Sequence, residues 1–217
     1  MNLSGIVDLA GAAATGILFL LVGLSVVQVA ILVERAVTFA TSRVPARRMR
    51  ELKGALERGR LEEIETGGAT SLPERVLGAG LRRAGDGADA ADEVMRAQLA
   101  ERRLGLERRL SFLATLGNNA PFIGLLGTVL GIMHAFANLS MTGGQVSAEV
   151  MSGISEALVS TGVGLMVALP AVIAFNWFQR VIKARVVAAE ALSGALLAHL
   201  KTQRQAAASR LVVMDAA

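Results

Sequence analysis

Three stretches of this sequence carry no Asp, Glu, Lys or Arg: residues 9–33, 110–148 and 157–179. A helix rises about 1.5 Å per residue, so blocks of 25, 39 and 23 residues are each long enough to cross a hydrocarbon layer of about 30 Å. The composition follows from these blocks: 53% of the 217 residues are apolar and 18% are charged, against ~25% charged in an ordinary soluble domain. There is no cysteine, which excludes a disulfide scaffold, a cysteine zinc site and thiol catalysis. The reading is an all-α integral membrane protein with three transmembrane helices. The middle block exceeds one crossing, and its Gly- and Ser-rich end at 138–147 is expected to be the exit loop.

Orientation comes from the basic residues. All 22 Lys and Arg lie on one side of the spans, sixteen between Arg35 and Arg109 and six from Arg180 onward. The positive-inside rule then places the N-terminus outside, with the long loop and the tail in the cytoplasm. A cleaved signal peptide is disfavoured, because Asp8 rather than a basic residue precedes the apolar run and the run exceeds the usual core of about 7–15 residues. The expected organisation is an outer terminus and first span at 1–34, a cytoplasmic helical segment at 35–109 and a second span at 110–139. A short outer loop at 140–149, a third span at 150–180 and a cytoplasmic tail at 181–217 complete it. Residues 51–58 and 92–110 are rich in helix formers with apolar residues at helical spacing, and the second of these is expected to run straight into the second span. Residues 66–73 and 84–89 read as turns. The basic cluster Arg43, Arg47, Arg48, Arg50 and Lys53 has no interleaved aromatic residues, so it is assigned to anionic lipid headgroups rather than to nucleic acid.

The first span is bulky, as suits a helix facing acyl chains. The other two carry stripes of small residues. Gly117, Ala120, Gly124, Gly127, Gly131 and Ala135 recur every three or four positions in the second, and Gly153, Ala157, Thr161, Gly164, Ala168 and Ala171 do so in the third. Lipid gives helices no hydrophobic reason to associate, so such stripes serve close backbone packing. Pro121 and Pro170 each remove a helix donor, loosening the carbonyls of Gly117 and Met166 and permitting a kink.

Depth adds a further constraint. Thr128 lies roughly 16 Å along a helix from Leu139, and Thr161 roughly 18 Å from Glu149 on a helix running the other way. Both hydroxyls are therefore expected at nearly one level. Glu156 is the one carboxylate placed to enter the outer part of the membrane; it is either a functional group or a headgroup-level residue. His134 has no second ligand near it in sequence and reads as a polar interface residue. His199 carries no signal. No span has a charge at its centre, and there is no Walker A loop, HExxH, GxSxG or dinucleotide fingerprint. Catalysis, a cofactor and a metal are not expected, and three helices are too few to enclose a transported solute. An oligomeric channel or motor subunit fits better.

Two segments carry a resemblance. Asn119-Ala-Pro-Phe-Ile-Gly-Leu-Leu-Gly-Thr-Val-Leu-Gly and Gly153-Ile-Ser-Glu-Ala-Leu-Val-Ser-Thr-Gly-Val-Gly-Leu-Met-Val-Ala-Leu-Pro are similar to the signature helices of the MotA/TolQ/ExbB proton-channel family, in its three-span ExbB/TolQ form. The resemblance implies a homo-pentamer whose second and third helices line a pore, with long cytoplasmic helical extensions. It also implies a dimer of a single-span ExbD/TolR-like partner held in that pore and supplying the proton-carrying aspartate. Thr128 and Thr161 match the pore threonines and Glu156 the glutamate of the GxxEAL motif. Pro121, Gly124, Gly127, Gly131, Gly164 and Pro170 are then packing and kink positions. The implied activity converts the proton gradient into force delivered through a TonB-, TolA- or gliding-machinery-like protein. A non-conducting pentameric scaffold for a partner is the alternative. Gly162 departs from the Ala of many relatives, and His134 stands where others carry Asn or another residue.

Overall fold

The computed structural model describes residues 3–42, 44–64, 68–141 and 148–215. Six helices account for most of them: α1 (Leu3–Thr41), α2 (Ala46–Glu57), α3 (Leu72–Arg82), α4 (Ala88–Glu107), α5 (Leu110–Met141) and α6 (Ala148–Asp215). Single 3-10 turns lie at Leu61–Glu63 and Ala84–Asp86. Three helices are long and apolar enough to cross a membrane, over Leu9–Thr41, Leu110–Ser140 and Val150–Ala206. The chain divides into two compact units, one formed from the described parts of Met1–Arg35 and Arg109–Phe178, the other from Ala36–Arg108 and Gln179–Ala217.

The first unit is a three-helix packing of α1, α5 and α6. Its centre is Leu21 of α1 against Leu116 and Ala120 of α5 and Val167 and Ala168 of α6, with Ile17, Leu24 and Phe112 around them. On α1 the buried residues Leu21, Gln28 and Arg35 recur every seven positions, while Phe19, Val26 and Val33 are exposed. One stripe of this helix therefore packs inward and the rest is an apolar outer surface, the pattern of a lipid-facing helix anchored along one edge. Pro121 and Pro170 both lie inside continuous helices.

Two expectations are corrected here. The helix of residues 92–110 does not run straight on: α4 ends at Glu107, Arg108 is extended with φ −53° and ψ 138°, Arg109 has φ +68°, and α5 begins at Leu110. Left-handed backbone at a non-glycine residue is costly. The Arg109 guanidinium is held there by an ion pair with the Glu34 carboxylate of α1. The exit loop does not start at 138 either, because α5 stays helical to Met141, with Ala137 O accepting from the Ser140 hydroxyl at 2.7 Å. Residues 142–147 of that loop, Arg43 of the basic cluster, and Thr66 and Gly67 of the first turn lie outside the described residues.

The second unit packs α2, α3 and α4 with the ends of α1 and α6. Its buried residues include Phe39, Leu52, Leu56, Val76, Leu77, Met95, Ile182, Leu192 and Leu196. Helix α3 starts with a serine N-cap: the Ser71 Oγ accepts from the Glu74 N–H at 3.4 Å, and the Ser71 hydroxyl donates to Glu74 Oε2 at 2.6 Å. Pro73 sits in the first turn, where no amide is needed. Solvent-facing pairs lace α4, Arg96 with Asp92 at 2.9 Å and Arg103 with Glu107 at 2.8 Å. The side-chain hydrogen bond in each pair raises the guanidinium pKa above its ordinary value, and the adjacent carboxylate charge adds to it.

Candidate functional site

The small-residue stripes of α5 and α6 meet each other in antiparallel register. A methyl group added at Gly117 would lie 2.6 Å from Val172 Cγ2, at Gly124 2.7 Å from Ser160 O, and at Gly131 2.7 Å from Ala157 Cβ. The partners fall back along α6 as the positions advance along α5. From the other side, a methyl at Gly164 would lie 2.7 Å from Ala120 O and 3.1 Å from Gly124 Cα. At this crossing the two backbones touch, which is the reason for glycine on both helices. The contact is closest around Gly124 and Gly164, where the added atom would collide with main-chain oxygen rather than with a side chain able to turn away.

That close approach positions the threonines. Thr128 is one turn beyond Gly124, and its hydroxyl lies 3.3 Å from Gly124 O, 3.1 Å from Ala157 O of the opposite helix, and in hydrogen-bond contact with the Thr161 hydroxyl. Thr128 is buried; Thr161 is half-buried. Thr128 has one proton and three oxygen neighbours. If it donates to Ala157 O, the Thr161 hydroxyl must donate to it, leaving Thr161 as an acceptor toward its open side. If instead Thr128 donates to Thr161, the Thr161 proton is released for another acceptor. The bond between the two hydroxyls can therefore run in either direction within this helix seam.

Glu156 is placed apart from this pair. Its side chain is exposed and lines a cleft of about 300 Å³ together with Gly11 and Thr15 of α1, Gly131 and His134 of α5, and Ser160 of α6. The imidazole of His134 lies against α1 so closely that a methyl at Gly11 would be 2.9 Å from its Cε1 and Nδ1. Its Nε2 is 3.2 Å from Asn138 Nδ2. No cluster of His, Cys, Asp or Glu among the described residues has a metal-binding arrangement.

Sequence reasoning passed over Ser160 and Gln28. Ser160 is 2% exposed, faces Gly124 with its carbonyl and packs its side chain on the Gly127 position, where a methyl would be 2.9 Å from its Cβ. It follows Ala157 by three and precedes Gly164 by four, so it fits the small-residue period as well as its neighbour Thr161 does. Gln28 is 3% exposed in the middle of α1. An uncharged amide inside a bulky apolar run is the signal that marks the inward edge of such a helix.

The fold and this seam define a membrane-spanning helical subunit in which two glycine-notched helices clasp a pair of hydroxyls. The chain belongs to the MotA/TolQ/ExbB proton channel family, whose sequence profile matches residues 69–191. It is 47% identical over 77 residues to an ExbB-like biopolymer transport protein of Helicobacter pylori, covering 36% of this chain and 51% of that protein. The Tol-Pal system protein TolQ of Pseudomonas aeruginosa is 46% identical over 85 residues, 39% of this chain and 37% of its own length. The biopolymer transport protein ExbB of Xanthomonas campestris is 42% identical over 90 residues, 42% of this chain and 36% of its own length. The matched part spans about half or less of each of these relatives.

Proposed function

We propose that this chain is the channel-forming subunit of a proton-driven energy transducer in the bacterial inner membrane, with α1, α5 and α6 as its spans and its N-terminus in the periplasm. Five copies surround a dimer of a single-span ExbD/TolR-like partner. The transducer couples proton entry to force on a TonB-, TolA- or gliding-machinery-like protein. The observation that carries this reading is the Thr128–Thr161 hydroxyl pair, set in a seam that contains no charged side chain. Proton transfer to a partner's carboxylate at that depth needs a donor and acceptor that cost little to bury, and a neutral hydroxyl pair meets the requirement where a second carboxylate would not. Thr161, the half-exposed member, is the one that meets the pore, and Thr128 acts through it. Glu156, on the exposed cleft, admits water and protons from the periplasmic side. Gly124, Gly127, Gly131 and Gly164 hold the seam, and Pro121 and Pro170 bend its two helices.

Multiple copies are supported by the apolar surface that a single chain leaves uncovered: Phe122, Leu125, Val129 and Phe136 on α5 and Leu158, Leu165, Met166 and Leu169 on α6 are all exposed. The family membership and the TolQ and ExbB relatives support the coupling role. The test is reconstitution of the chain with its single-span partner in vesicles and measurement of acidification under an imposed proton gradient. Thr161→Val and Glu156→Ala are expected to abolish proton entry and the energised phenotype. Partner binding without any proton entry in the unmutated complex would replace the motor reading with that of a passive scaffold.

A further inference from the structure

A cleft of about 360 Å³ opens in the second unit between the last turn of α1, the start of α3, the end of α4 and α6. Arg75, Arg102 and Arg185 converge on it from three helices, with the hydroxyls of Thr38 and Ser42 beside them and one carboxylate, Glu101, in the lining. Two of the guanidinium groups are fixed before any ligand arrives. Arg185 donates to Phe39 O at 2.8 Å and to Ser42 Oγ at 2.8 Å, and its Cζ lies over the Phe39 ring, 4.7 Å from the centroid; Phe39 is itself 1% exposed. Arg75 donates through Nε to Ala69 O at 2.9 Å. These acceptors are neutral groups that orient the two arginines. Among the described residues neither Arg75 nor Arg102 forms an ion pair.

We propose that this cleft binds a phosphate group, presented by an anionic phospholipid headgroup or free in solution. Three forked donors, those of Arg75 and Arg185 held in place, match tetrahedral phosphate oxygens, the geometry for which arginine is better suited than lysine. Its place along the chain suits a headgroup: Thr38 and Ser42 sit at the end of the apolar Leu9–Thr41 stretch of α1, at the end of that stretch which leads into the basic segment. Basic pockets at that level of membrane helices take lipid phosphates. Two apolar residues next in sequence to the lining, Val37 and Leu104, are exposed at 57% and 72%, as an acyl chain alongside the site requires.

The experiment uses the full chain purified in detergent, with lipid binding read by native mass spectrometry and thermal unfolding. Dioleoylphosphatidylglycerol, dioleoylphosphatidylcholine and inorganic phosphate are added in separate arms. The expected result is a preference for phosphatidylglycerol over phosphatidylcholine of at least about fivefold, the equivalent of one basic residue at an anionic surface. Arg102→Gln, an exposed substitution outside any ion pair, reduces that preference by about the same factor, and Glu101→Gln increases it. Protection by inorganic phosphate equal to that by phosphatidylglycerol, lost in Arg102→Gln, supports the site and identifies the free ion as its source. Equal binding of the two lipids with no effect of phosphate overturns the proposal. So does a phosphatidylglycerol preference that neither substitution changes.

Discussion

The Thr128 hydroxyl of α5 is bonded to the Thr161 hydroxyl of α6 and lies 3.1 Å from the Ala157 carbonyl one turn away on the same facing helix. With its one proton, the Thr128 hydroxyl ties the two helices either by donating to the Ala157 carbonyl while accepting from Thr161, or by donating to Thr161. Val is close to Thr in shape, so Thr128→Val removes these bonds with little change in packing. Each lost bond is worth about 1 kcal/mol. Thr128→Val is expected to destabilise the folded chain by about 1–2 kcal/mol and Thr161→Val by about 1 kcal/mol, and the double substitution by less than their sum. Denaturant titration in detergent of the four members of the cycle measures the coupling. Strict additivity would show that the two hydroxyls do not share a bond.

Gly124 and Gly164 differ from Gly162 in what lies above them. A methyl at either of the first two meets main-chain oxygen at 2.7 Å, whereas at Gly162 there is nothing within 4 Å. Gly124→Ala or Gly164→Ala must push the backbones apart, at a cost of about 1–3 kcal/mol. Gly162→Ala is expected to be neutral or to stabilise by up to about 1 kcal/mol through helix propensity alone. Unfolding midpoints of the three variants test the ranking.

The seam between α5 and α6 was legible because its cause is periodic. Gly124, Gly127 and Gly131 repeat at the helical period, and so do Gly153, Ala157 and Gly164, so the contacting faces appear without any knowledge of the fold. The period fixes a face only to within one residue, which is why Thr161 was visible as part of the stripe and the more deeply buried Ser160 was not. The break at Arg108 and Arg109 had no such signal. Arginine is a good helix former, and the event that holds Arg109 in a left-handed turn is a pair with Glu34, 75 positions away in the chain. The arginine cleft was hidden for the same reason. Arg75, Arg102 and Arg185 belong to three separate helices, and each alone reads as an ordinary solvated charge.

Gly59 and His199 offer a test within the second unit. Gly59 follows α2 with φ +70°, and a methyl there would be 2.6 Å from His199 Cε1. Gly59→Ala therefore meets two separate penalties, left-handed backbone at a non-glycine residue and a collision with the imidazole, together about 1–3 kcal/mol. Adding His199→Ala removes the collision and leaves the backbone term. Thermal unfolding of the single and double variants is expected to show partial rescue. Full rescue would mean that the φ angle at residue 59 costs nothing.

Glu156 separates function from stability. Its side chain is exposed at the cleft shared with His134 and Thr15, and it makes no hydrogen bond or ion pair among the described residues. Substituting such a residue changes folding stability by no more than about 0.5 kcal/mol. Under the proposed proton path, Glu156→Gln keeps the shape and removes the titrating group. It is expected to stop acidification in reconstituted vesicles while leaving the unfolding midpoint where it was. Thr128→Val is expected to lower both. Measuring proton entry and stability on the same two preparations distinguishes a group that acts on the transported ion from one that holds the channel together. If Glu156→Gln conducts normally, the carboxylate is a headgroup-level surface residue and the proton must enter the seam by another route.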